Sequence, residues 1–328
     1  MASLPSIAQG TRDSWIDVTK AIAIYLIVLG HFPEVPFPLL YTFHVPVFFF
    51  ISGYLFRPLP AAASLMRVQR RLLVPYVLGY ILLVIFNGFE ISNFDRALIQ
   101  KQLWGIVYGT HSYPYFISAP LWFLPALAIV EIMYDFFVRR SHLLYITLLA
   151  ISIYLYTAGV VNLILSFDLA LLGLNFFLAG RIFRHYRIAE SLAKLPRCTL
   201  ASIFIILSMA VYDFARQGNV WFAGPSYSRS VLGGLCGIMM LITFSMLLPK
   251  WISESSLLRK IADTTLFILM FHIVFLRRIT MRLEFLHLQN IPLKIFLSTS
   301  TVLLILIPIG LLARRYVPEL VGQSRSRK

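Results

Sequence analysis

The sequence predicts an all-α fold: a polytopic bundle of about ten transmembrane helices with both termini in the cytoplasm. Three observations predict it. Of 328 residues, 59% are apolar and 13% charged, with a mean hydropathy of +0.80; soluble domains carry nearer ~25% charged residues. Apolar stretches of near-spanning length recur along the whole chain, and basic residues gather in alternate connections. The same composition excludes other classes. An aromatic content of 15% is too high for a disordered chain, and 17 Gly with 2 Cys fit neither collagen nor a disulfide scaffold. The excess of 29 basic over 14 acidic residues, a net charge of +15, would suit a nucleic-acid binder, but the hydropathy assigns it to membrane topology.

A spanning helix needs roughly 20 mostly apolar residues, because the hydrocarbon core is about 30 Å thick and each residue rises about 1.5 Å. The first candidate, 15–31, is short and carries Asp17 and Lys20; no small-residue cleavage site follows it, so it reads as an uncleaved helix. A seven-residue connection joins it to 39–56 as a hairpin. The third, 72–89, follows a basic cluster at Arg67, Arg70 and Arg71. Next come 120–137, then 143–161 after Arg139 and Arg140, and 165–183, which runs into Arg181, Arg184 and Arg187. The last four are 200–215, 230–248, 261–277 and 293–312, the final one followed by Arg314 and Arg315. Residues 102–119 are long enough to hide an eleventh or re-entrant span.

Orientation follows from the basic residues. With a cytoplasmic N-terminus, Arg96, Lys101, Arg216, Arg229, Arg277, Arg278, Arg282 and Lys294 lie outside, and the other 21 of the 29 lie inside. The expected organisation is a cytoplasmic segment 1–14, one transmembrane domain 15–312, and a basic cytoplasmic tail 313–328. Cys198 falls in an inner loop and Cys236 mid-helix, so no extracytoplasmic disulfide is expected.

Ionisable groups inside a bilayer cost about 2.5–3.5 kcal/mol each on insertion scales, so those present need a reason. Lys20 and His31 are eleven positions apart, and eleven steps of about 100° come within about 20° of three full turns. They share one face of the first helix, about 16 Å apart along its axis, with Asp17 one turn before Lys20. A snorkelling Lys and an interfacial His are the plain alternative. His44 opens the second helix on the same outer side, and Glu34 is the one acid in the connection, placed to orient an imidazole. Two His and an acid also suit zinc, but a third good ligand does not declare itself, and no metal is expected.

Ser52-Gly53 reads as a packing notch, since no elbow sequence surrounds the serine. Arg67, Arg70 and Arg71 stand at i, i+3 and i+4, on one face. Such a cluster grips phosphates, or else serves topology and anionic lipid. The outer connections 87–119 and 216–229 are aromatic, with Phe89, Phe94, Trp104, Tyr108, His111, Tyr113, Tyr115, Trp221, Phe222 and Tyr227. They form an interfacial belt or a stacking surface for sugar rings. Gly233 and Gly237 read as helix packing. His272 lies level with His31 in the ninth helix. His185 and Glu190 have a soluble-acyltransferase spacing, but in a basic inner loop.

Trp15-Ile-Asp17 with Lys20 and His31 resembles the first-helix signature of the membrane acyltransferase-3 family. The run Phe43-His44-Val-Pro-Val-Phe-Phe-Phe-Ile-Ser52-Gly-Tyr54-Leu-Phe56 resembles its second helix, especially the branch similar to fucose 4-O-acetylases. Arg67-x-x-Arg70-Arg71-Leu-Leu-Val-Pro75-Tyr76, Leu121-Trp122-Phe123-Leu124 and Leu266-Phe-Ile-Leu-Met-Phe-His272 resemble later segments, in family order. The resemblance implies transfer of acyl groups, mostly acetyl, from cytoplasmic acyl-CoA to extracytoplasmic carbohydrate. His31 would be the catalytic base, with His44 beside it. Lys20 would stand where the family usually has Arg, a point charge in place of a planar fork. Arg67, Arg70 and Arg71, with Lys20, would contact the CoA phosphates, and Glu34, Ser52, Tyr54, Trp122 and His272 the acceptor. Larger members append an extracytoplasmic hydrolase-like domain; here the membrane core would act alone.

The expectation is thus a cell inner-membrane O-acetyltransferase. Acetyl-CoA is its donor co-substrate, without metal or nucleic acid, and a surface or secreted polysaccharide, free or lipid-linked, its acceptor; membrane lipids and a second copy are further partners. The rival is a polytopic lipid or glycan transporter using the same polar stripe as a pathway. An unrelated membrane acyltransferase with one intramembrane His, or a structural subunit, comes third.

Overall fold

The computed structural model describes residues 13–32, 35, 37–90, 96–110, 112–216, 226–285 and 290–323. Among these there is no strand. The helices are α1 (Ser14–Leu29), α2 (Pro46–Leu55), α3 (Ala61–Val68 running through a π-helical turn Gln69–Leu73 into Val74–Glu90) and α4 (Arg96–Tyr108). Then come α5 (Phe123–Met133, continued by a π-helical turn Tyr134–Val138), α6 (His142–Thr157), α7 (Phe167–His185) and α8 (Arg197–Arg216). The chain ends in α9 (Tyr227–Leu247), α10 (Ser256–Phe285) and α11 (Ile291–Tyr316).

Each of the ten apolar stretches is mostly helical, with a turn at 42–45 breaking 39–56. Among the described residues six helices are long and apolar enough to cross a membrane: those over Ala61–Phe86, Ala119–Val138, Ile164–His185, Arg197–Arg216, Tyr227–Leu247 and Ile291–Tyr316. The other stretches fall short for identifiable reasons. With 16 residues each, α1 and α6 extend about 24 Å, and α2 continues a short apolar helix that begins at Leu39. At 30 residues α10 is long enough, but it carries charges at both ends. Residues 102–119 form no long span. The 13-residue α4 lies against α3, where Tyr76 Oη donates to Ile106 O (2.9 Å) and Tyr80 Oη to Gln102 O (2.8 Å), and turns follow it.

The helix α1 is apolar nearly all round and buried nearly all round, from Trp15 to Val28, as expected of a central helix. It packs against α10, α9, α11 and α2. A buried hydroxyl pair, Thr19 Oγ1 to Ser245 Oγ at 2.9 Å, joins it to α9. At the periphery Ile206, Met209 and Leu304 present apolar surface where lipid would lie.

The tightest crossing is α2 on α7, and small residues make it possible. A Cβ on Gly53 would lie 2.0 Å from Phe177 O, and one on Gly180 would lie 2.0 Å from Phe50 O, so each backbone sits in the other's notch. Lipid tails are as apolar as leucine, so helices in a membrane associate through such close packing. Gly180→Val should therefore separate α2 from α7 and lower stability by about 1–3 kcal/mol or more. Leu304→Ala, at a side chain 72% exposed, should change little. Thermal unfolding in detergent checks both, and equal melting of the two variants would show that the crossing tolerates a side chain.

Candidate functional site

The C-terminal end of α1 stops at Gly30, whose N–H bonds Leu26 O at 2.8 Å. His31 follows immediately and is half-buried. Its Nδ1 lies 2.7 Å from Ile27 O and 3.3 Å from Nε2 of His272. His272 is fully buried on α10, with Nδ1 at 2.9 Å from Ile268 O and 3.0 Å from Leu269 O. Carbonyl oxygens only accept, so the proton of His272 is assigned to Nδ1, which leaves Nε2 as an acceptor. Nδ1 of His31 thus faces two acceptors and carries its proton. The remaining lone pair of His31 is on Nε2. His272 thus fixes the tautomer and orientation of the His31 ring.

His44 is buried, and its Nδ1 donates to Leu40 O. Its ring meets Tyr41 edge-on, with centroids 4.6 Å apart; Tyr41 lies 6.4 Å from the His31 ring and donates from Oη to Gly30 O at 3.4 Å. Three histidines from α1, α10 and the turn before α2 thus converge on one end of the bundle. Among the described residues no three His, Cys, Asp or Glu are arranged to hold a metal ion. A cavity of about 260 Å³ opens beside His31, lined by Phe32 and by one stripe of α10: Ile273, Leu276, Arg277, Thr280 and Met281.

At the other end of α1, Lys20, Ser52, Arg71 and Asp263 share a second cavity of about 250 Å³. Its apolar lining includes Phe48, Phe123, Leu127, Leu266 and Leu269, and the segment Val321–Gln323 borders it. That segment follows a turn, Pro318–Val321, folded back against α3. Lys20 and His31 are about 16 Å apart along α1, but the two cavities come nearer on α10. Leu269 borders the inner one and Ile273 the outer one, only about 6 Å of helix rise apart. His272 sits between them.

Of the three arginines of α3, Arg67 and Arg71 meet one carboxylate and Arg70 does not. Arg70 and Arg71 lie in the π-helical turn Gln69–Leu73, a departure that often marks functional segments. Arg67 turns inward: it donates to Arg57 O (2.5 Å) and Ser64 Oγ (3.3 Å), covers the Phe56 ring and lies 3.8 Å from Glu131. Arg71 reaches the same carboxylate at 4.0 Å and also borders the inner cavity. Arg70 is exposed.

Other expected residues are dispersed. Tyr54 stands on Trp15 and Phe183, and its carbonyl accepts from Arg184, at the end of α1 away from His31. Trp122 is buried edge-on to Phe123 before α5. Glu34, His111, Phe94, Trp221 and Phe222 lie outside the described residues, as does the side chain of Phe89. Glu190 is taken by Arg187 at 2.6 Å, so the spacing to His185 carries no dyad. Sequence reasoning missed Glu131 and Arg181. Glu131 stands 1% exposed within the apolar run of α5, and Arg181 bonds Phe56 O at 2.7 Å and Tyr134 Oη at 3.2 Å. An acid in an apolar span was the available signal.

Glu131→Ala should cost about 1–3 kcal/mol of stability, because Arg67 and Arg71 lose their shared carboxylate inside the bundle. Arg70→Ala should stay within about 0.5 kcal/mol. Melting temperatures of the purified variants check this, and an unchanged Glu131→Ala protein would remove the brace.

A family model described as an acyltransferase domain, of the acyltransferase-3 type, matches residues 13–311. No curated protein and no solved structure matches the chain.

Proposed function

The chain belongs to the acyltransferase-3 family, and from that membership we propose that it is an O-acetyltransferase, moving acetyl from cytoplasmic acetyl-CoA to a hydroxyl of a surface or secreted polysaccharide. Membership makes it a multi-pass membrane acyltransferase. The observation that carries the finer reading is the pair of cavities at opposite ends of α1, cationic at one and histidine-lined at the other. The run from His44 to Phe56 supports the branch similar to fucose 4-O-acetylases.

In this reading the inner cavity takes the donor. Lys20 and Arg71 offer charge to its phosphates, Arg67 holds Glu131 and the α3 turn in place, and the apolar lining accepts the pantetheine arm. Leu269 marks where the thioester approaches His31. The acceptor enters from the outer cavity. Its hydroxyl oxygen attacks the thioester carbonyl as Nε2 of His31 takes the hydroxyl proton. The C–O bond forms, the C–S bond breaks, and the proton passes to the departing thiolate, giving ester and free CoA thiol. His272 keeps the lone pair of His31 on Nε2 and aimed outward.

Purified protein with acetyl-CoA and acceptor should release thiol, an output that a transporter does not give. His31→Ala should lower transfer by about 10²–10⁴ with abundance unchanged. His272→Leu should lower kcat about tenfold or more at unaltered KM for both substrates, since a base held in the wrong tautomer loses most of its activity. His272→Gln places an amide oxygen near the position of Nε2 and should recover much of it. His31→Ala acetylating at more than about a tenth of wild type would overturn the base; equal kcat for both His272 variants would make that residue mere packing.

The proposed sidedness puts Lys20, Arg71 and both termini in the cytoplasm and His31 toward the outside of an inner membrane. Ser64 is buried and bonded to Asp135, so Ala62, which is exposed, is the better probe. With Cys198 and Cys236 replaced, a cysteine at Ser112 should react with an impermeant thiol reagent on spheroplasts, and one at Ala62 only after lysis. The reverse pattern would invert the topology.

A further inference from the structure

We propose that the acceptor carries an anionic group, a phosphate or a carboxylate, and that Arg277 binds it beside His31. The proposal rests on the acyltransferase reading above, which makes the outer cavity the acceptor's. Arg277 borders that cavity together with His31. It also borders an adjoining cavity of about 200 Å³, which shares Ile273 and Met281 and adds Arg278. Among the described residues the lining of neither cavity contains an acid.

Position strengthens the argument. Basic residues outside the membrane run against the bias that orients this chain, yet Arg277, Arg278 and Arg282 cluster there on one helix. The dipole at a helix C-terminus favours cations only within the last turn. That accounts for Arg282, near the end of α10 at Phe285, and not for Arg277 two turns earlier. Glu284, the acid on this part of α10, lies 3.4 Å from Lys294. Among the described residues Arg277 has no ion pair or hydrogen bond, and its side chain is exposed.

Geometry gives the arginine its task. Ile273, Leu276, Arg277, Thr280 and Met281 recur at helical spacing, so Arg277 stands on the stripe of α10 that faces His31 across the cavity. A planar guanidinium holds a phosphate or carboxylate by paired charge-assisted bonds and so fixes orientation as well as position. One anionic group held there leaves a hydroxyl of the attached sugar to meet Nε2 of His31.

The test uses membranes of cells that make the full chain, incubated with radiolabelled acetyl-CoA. The labelled acceptor is applied to an anion exchanger untreated, after mild acid that cleaves glycosyl phosphates, and after reduction of its carboxylates. Retention is expected; release by acid identifies a phosphate, and release by reduction a carboxylate. Label that passes through untreated overturns the proposal and leaves acyl transfer standing. Absence of any label overturns the transferase reading, and this proposal with it. Acceptor extracted from those membranes is then titrated onto purified variants. Arg277→Gln should raise the half-saturating acceptor concentration about tenfold, the loss of one charge-assisted bond. Its maximal rate and its KM for acetyl-CoA should stay within about twofold. Arg277→Lys should fall between, and Arg282→Gln should match wild type. If Arg277→Gln titrates as wild type, Arg277 does not hold the acceptor.

Discussion

A polar group inside hydrocarbon has no water to bond, so it must be enclosed by protein that answers it. The arrangement of this bundle follows from meeting that requirement along α1. The helix is surrounded by α2, α9, α10 and α11. Its buried Thr19 is answered by Ser245 of α9, and the imidazole at its outer end by His272 of α10. Placing α1 at the centre is thus a consequence of its polar cargo as much as of its apolar surface. A peripheral α1 would have exposed Lys20 and His31 to lipid.

Enclosure demands close approach, and the two layers beside α1 achieve it differently. Between α2 and α7 paired glycines let the backbones touch. At the inner end a carboxylate does the joining instead: Glu131 of α5 draws Arg67 and Arg71 of α3 together across the π-helical turn. Arg181 of α7 ties the end of α2 to Tyr134 through Phe56 O. Glycine contacts give precision without charge. The charged contacts join helices through groups whose burial is costly unless they are paired.

In the proposed reaction the difficulty is distance, since a cytoplasmic donor would have to meet an acceptor on the other side of the membrane. Measured along α1 the separation is about three turns. Measured along α10 it is about one turn, from Leu269 to Ile273, because the two cavities bite into the bundle from opposite ends and approach each other there. His272 occupies that thin wall and uses its own helix's carbonyls to fix its proton. A buried neutral histidine so held is a directional acceptor, which a lipid-facing or solvated one is not.

The sequence by itself determined the all-helical membrane class and the position of every apolar helix, because burial in lipid is read residue by residue from hydropathy and length. It predicts Lys20 and His31 on one helical face, because helical periodicity is a local property, but α1 ends at Leu29, before His31. It left open which faces meet. That His272 stands behind His31 rather than beside an acceptor depends on α1 lying against α10, 241 positions away in the chain. That Arg67 and Arg71 meet one carboxylate while Arg70 is exposed depends on where α5 sets Glu131 against α3, which the i, i+3, i+4 spacing does not reveal. Glu131 and Arg277 were legible only as charges in awkward places. Only the tertiary structure shows what surrounds them, because a charge in or beside hydrocarbon takes its meaning from the partner or cavity that packing sets opposite it.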